Sequence, residues 1–154
     1  MSATKSPRVL RFLIGSALVA CATAAHAAPN VLEVVVGNGP FAGTYKPPVD
    51  EVFCIHAKQR SVYIVSWKNF SPSDPRAMSE GGLNVFSPDQ PGAKSGDVHV
   101  AFGIPDKKSV EYDLSRVPMT LKSRGKGADV AAEGRTKDGV ALRISAQCND
   151  VEEM

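Results

Sequence analysis

The chain has 154 residues, 43% hydrophobic and 22% charged, with 18 basic and 16 acidic side chains. This is the composition of one globular domain, and it excludes a disordered tail, a collagen-like fibre and a multidomain enzyme. The one long apolar stretch lies at the N-terminus and is too short for a good membrane span.

That stretch reads as an export signal over residues 1–27. Lys5, Arg8 and Arg11 form a basic start, and residues 12–25 carry no charge. Ala25-His26-Ala27 then supplies the small-x-small pattern that signal peptidases cut. A second cut competes with it. Leu18-Val19-Ala20-Cys21 has the form of a lipobox, and acylation of Cys21 would tether the protein to a membrane instead of releasing it. The expected location is the periplasm, with a membrane-anchored lipoprotein as the alternative.

Without the leader, 15 basic residues face 16 acidic ones, so the mature net charge falls to −1. No global basic field is left to attract nucleic acid. The mature chain, residues 28–154, also keeps two cysteines, Cys54 and Cys148. In an exported protein an even count predicts one disulfide. A loop of this size is worth about 4–5 kcal/mol in the chain-entropy model.

The mature chain has period two almost throughout. Val31 to Val36 is a β-branched run. Glu51 to Ala57 and Ser61 to Trp67 flank the polar turn Lys58-Gln59-Arg60. Gly82 to Phe86 comes next, then Asp97 to Phe102. Val110, Tyr112 and Leu114 alternate with Glu111 and Asp113, and Met119 and Leu121 alternate with Thr120 and Lys122. The clearest signal is the last hairpin. Asp129 to Arg135 enters a turn ending in Asp138-Gly139, after which Val140, Leu142, Ile144, Ala146 and Cys148 share one face. Clusters of Gly, Pro, Ser and Asn separate these runs. The pattern predicts one all-β domain, a single antiparallel β-sandwich of about seven to nine strands. In Glu51 to Ala57, Cys54 lies opposite the more apolar face of Phe53, Ile55 and Ala57. Burying Cys54 would turn Phe53 and Ile55 outward, unless a bulge or a second covering layer intervenes.

No reactive set converges in the sequence. Cys54 and Trp67 are spaced as in an immunoglobulin domain, but Ala146 replaces the expected tyrosine and six residues after Cys148 cannot form a closing strand. No His follows Cys148, which excludes a blue-copper loop. His56 and His99 are unclustered in sequence, and no G-x-S-x-G or S-x-x-K motif occurs. Glu111 and Asp113 read as the wet side of a strand. Catalytic residues, cofactor and metal ligands are therefore expected to be none. Two surface features remain. Arg116, Lys122, Arg124, Lys126, Arg135 and Lys137 fall within 22 residues, as a solvated sheet edge or a basic patch. The loop from Lys68 to Ser79, with Trp67 and Phe70 at its root, is either a candidate partner-binding surface or a place where both rings plug the end of the sandwich.

The export signal with its lipobox, the early Cys54, the Gly- and Pro-rich middle, and the segments Gly127 to Thr136 and Val140 to Cys148 together resemble the small exported β-sandwich lipoprotein antigens of the LpqH-like type. That resemblance implies a non-enzymatic envelope protein with no catalytic residues to carry over. The expected function is an exported, non-catalytic binding or envelope-associated module, whose partner is an unknown protein or envelope component. Membrane contact is expected only if Cys21 is lipidated. The alternatives are a periplasmic inhibitor or immunity-type protein, and a small hydrolase or metal-binding protein using His56 or His99. The last requires one histidine to lie in a concavity beside carboxylates.

Overall fold

In the computed structural model the described residues are 28–104 and 108–154. The expected leader, with Cys21, lies outside them. Ten strands form: β1 (Val31–Val36), β2 (Gly43–Tyr45), β3 (Phe53–Ala57), β4 (Val62–Lys68), β5 (Met78–Phe86), β6 (Lys94–Ile104), β7 (Lys108–Arg124), β8 (Gly127–Arg135), β9 (Ala141–Cys148) and β10 (Glu152–Glu153). Two single 3-10 turns, Val49–Glu51 and Lys58–Arg60, complete the regular structure.

The sequence predicts two packed layers. The strands instead hydrogen-bond as one continuous sheet in the order β10-β3-β4-β5-β6-β7-β8-β9-β1-β2. From β3 to β9 each strand pairs antiparallel with the next, as short turns dictate. β1 returns to β9, and β10 adds to β3 in parallel. A right-handed twist accumulated over so many strands curls the sheet into a half-barrel. One face of the curl encloses the core. Leu32, Val34, Val65, Val85, Val100, Phe102 and Ile144 are buried there almost completely.

The curl brings β3 back to β9, six places away in the sheet, and the seam is fastened in two ways. Cys54 and Cys148 are bonded, with Cα atoms 5.9 Å apart. Beside them the buried Asn30 amide donates to the carbonyls of Val52 (3.1 Å) and Asp150 (2.9 Å). Its Oδ1 accepts from the backbone N–H groups of Asn149 (2.8 Å) and Asp150 (2.9 Å). Cys54 thus points inward without a bulge in β3, and Phe53 is left 59% exposed on the other face while Ile55 is half-covered.

A bulge shapes the outer face. β7 is one strand of 17 residues where the sequence shows two runs. Arg116 takes a left-handed conformation (φ 52°), and the register shifts opposite Gly96 and Val98. This one-residue slip moves the inward positions from Tyr112 and Leu114 to Met119 and Leu121. Asp97 Oδ1 accepts the Arg116 N–H at 2.8 Å and so fixes the bulge.

Candidate functional site

The outward residues of β3 to β7 fall into rows set by the register. Phe53 faces Ser66, Ser66 faces Gly82, Gly82 faces His99, and His99 faces Asp113. A second row runs Lys68, Glu80, Ala101, Glu111. A third runs Ile55, Ile64, Asn84, Asp97. The hairpin tip Arg135–Asp138 overhangs the β7 side, and a trough of about 710 Å³ results. Gly82 keeps its floor open. A Cβ there would lie 2.6 Å from the Val65 carbonyl oxygen, so the site is restricted to glycine by the sheet itself, and no side chain stands between Ser66 and His99.

The trough collects polar groups that the sequence scatters. His99 Nδ1 lies 2.7 Å from Asp113 Oδ1. Donor atoms of His99, Glu111 and Asp113 all fall within 4.8 Å of one another, a set able to hold a divalent cation. Both carboxylates are exposed. Among the charged residues lining the trough, five are acidic (Glu80, Asp97, Glu111, Asp113, Asp138) and two are basic (Arg135, Lys137). At its β4 edge Lys68 pairs with Glu80 (3.0 Å) and sits 5.3 Å above the centre of the Phe70 ring.

A second concavity opens at the mouth of the half-barrel. Tyr63, Leu121, Ala128 and Val151 form its walls, with His56, Asp89 and Glu153 at the rim. His56 Nε2 lies 3.0 Å from Asp89 Oδ2. Lys58 and Glu153 pair at 2.8 Å; the hydrogen bond and charge of each raise the lysine and lower the carboxyl from their ordinary ranges. The Tyr63 hydroxyl is buried with no hydrogen-bond partner, and burial pushes its pKa up to about 12. The opposite end is closed by rings: Phe41 stacks on Phe102 at 4.7 Å, and Tyr45 and Tyr112 meet Phe102 edge-on.

The expectations meet this geometry unevenly. The two histidines are not isolated: each has a carboxylate beside it, so the requirement of the hydrolase or metal alternative is met at His99. Trp67 and Phe70 part company. Trp67 is 5% exposed, in the core, and donates from Nε1 to Glu51 Oε2 at 3.0 Å, whereas Phe70 is 76% exposed. The basic residues do not form one patch. Lys122, Arg124 and Lys126 lie at the β7–β8 turn, and Arg135 and Lys137 at the far end of β8. Arg124 is paired with Asp129 at 2.9 Å. Sequence reasoning missed the His99–Glu111–Asp113 group because β6 and β7 had to be put in register first. Their alternation showed that all three point outward, and only the pairing shows that they meet.

No family model matches the chain, and no solved structure matches it. It is similar to Endoglucanase C of Evansella cellulosilytica, 30% identical over 103 residues. That match covers 64% of this chain and 12% of the other protein. No helix among the described residues is long and apolar enough to cross a membrane.

Proposed function

We propose that the protein is an exported, non-catalytic binding module whose outer trough takes a polysaccharide. The observation that carries this reading is the trough: a concave, glycine-floored sheet face with hydroxyl, amide and carboxylate groups turned to solvent and, among the described residues, no nucleophile hydrogen-bonded to His99. Sugars are recognised by groups of this kind, through many directional hydrogen bonds to solvent-facing hydroxyls. The likeness to a small part of an endoglucanase supports the ligand class. A stretch covering 12% of that enzyme is better matched to an accessory module than to the whole enzyme. The curl places the two ends of the sheet over one core, and it serves as the two-layered sandwich that the sequence pattern suggests. The disulfide and the apolar stretch with its cleavage motif support export to an oxidising compartment. Release after Ala27 or tethering through Cys21 decides whether the module diffuses through the periplasm or stays at the envelope.

Affinity gels cast with barley β-glucan, with xylan or with solubilised peptidoglycan test this reading on the native protein. It predicts retarded migration in at least one gel and no release of reducing sugar. Hydrolysis of any of these polymers would contradict it.

A second reading rests on the His99, Glu111 and Asp113 donor atoms: a cation site, or hydrolysis assisted by one. Titration with zinc chloride separates the two readings. Micromolar binding lost in Asp113→Asn would favour the second.

A further inference from the structure

The trough has a direction, and the direction specifies the ligand. The register row through the trough crosses the strands at right angles from Ser66 on β4 to Asp113 on β7, and beyond the trough's rim it continues to Phe53 on β3. Five strands leave four gaps of about 4.8 Å, so the row is about 19 Å long. At one end, just outside the trough, stands the Phe53 ring, 59% exposed. At the other stands His99, held by Asp113 with Glu111 beside it. Between them Gly82 contributes no side chain, and the adjoining Ala101 rises little above the sheet. A ligand lying along this row meets an apolar platform, a bare floor, and then a set of acceptors. A globular head group would fill one end and leave the other empty.

The charges narrow the class. With five acidic linings against two basic ones, the trough repels anionic polymers. Those acids can still accept hydrogen bonds from neutral hydroxyls, and such charge-assisted bonds are stronger than neutral ones. A pyranose ring advances an extended chain by close to one strand spacing, so the row accommodates about four sugars.

Building on the polysaccharide reading above, we infer that the trough, together with the adjoining Phe53, binds the interior of an extended, uncharged β-linked glycan across the strands, stacked on Phe53 and hydrogen-bonded at His99 and Asp113. An interior segment has no chain end to recognise, so affinity grows with length until the row is filled.

Isothermal titration of the native protein with cellobiose and cellohexaose, and of the Phe53→Ala and His99→Ala variants with cellohexaose, tests this. Cellohexaose is expected to bind at least tenfold more tightly than cellobiose. Each variant should weaken it about tenfold, and Lys122→Ala, at the far turn, should leave it unchanged. Both test residues lie on the outer face, and circular dichroism will show that the variants fold. Equal affinity for the two sugars, or cellohexaose binding unaffected by both variants, would overturn the row while leaving a glycan-binding module in place. Tighter binding of polygalacturonate than of barley β-glucan would overturn the charge argument. Failure to bind cellohexaose, barley β-glucan and xylan alike would remove the polysaccharide reading with it.

Discussion

At the seam, the Asn30 side chain makes four hydrogen bonds to backbone groups, and the adjoining sulfurs are joined covalently. In the trough, a few strands away, Asn84, Glu111 and Asp113 present their polar atoms to solvent. The curl brings the seam's residues together and strand register brings the trough's together, but the seam satisfies its polar groups within the protein and the trough leaves most of them available. The seam therefore carries stability and little else. The trough carries recognition, and stability should tolerate its alteration. A buried polar group left unpaired costs about 1–3 kcal/mol, whereas exposed groups away from special contacts typically change stability by no more than about 0.5 kcal/mol.

This contrast is open to attack at several points. The largest effect is expected at the disulfide. Replacing Cys54 and Cys148 together by Ala should lower stability by about 3–5 kcal/mol in urea unfolding, since the bridge closes a loop with a sequence separation of 94. Asn30→Ala comes next, at about 2–3 kcal/mol, because it strands the Val52 carbonyl and the Asn149 and Asp150 N–H groups at a buried junction. A loss below 0.5 kcal/mol would show that the seam is held by the disulfide alone.

A third test uses the mouth. The Tyr63 phenol, raised from 10 to about 12 by burial, is protonated in the folded chain over a range where the unfolded chain has already ionised. The unfolded state then binds fewer protons, so stability falls as pH rises. Its contribution is intact below pH 10 and declines between pH 10 and 12, by about 1.4 kcal/mol per unit. Tyr63→Phe should remove this alkaline loss. It should also leave stability at pH 7 unchanged or slightly higher, because it deletes a hydroxyl with no partner. The smallest effect is expected in the trough itself: His99→Ala should change unfolding free energy by no more than about 0.5 kcal/mol, while weakening glycan binding.

Much of the seam was legible in the sequence. The β1 run, the Asp138-Gly139 turn and the last strand follow from alternation and turn chemistry, and the two cysteines are bonded as export predicts. The short edge strands β2 and β10 were not, since two or three residues carry no period. The trough was legible only in fragments. Alternation turns His99, Glu111 and Asp113 outward, and the change of inward phase between Leu114 and Met119 is the signature of the Arg116 bulge. Which residues meet across β3 to β7 depends on register, a property of pairs of strands that no single run contains. Trp67 shows the reverse. As an aromatic at a loop root it suggested a surface as readily as a plug; it lies in β4 in phase with Tyr63 and Val65, and that phase faces the core.

The most direct test of the central claim is a map of backbone amide shifts as cellohexaose is added to the isotopically labelled protein. The amides of Ser66, Gly82, His99 and Asp113 are expected to move together, while those of Asn30, Cys54 and Cys148 stay in place. Shifts confined to the mouth around His56 and Tyr63, or spread along the seam, would contradict that claim.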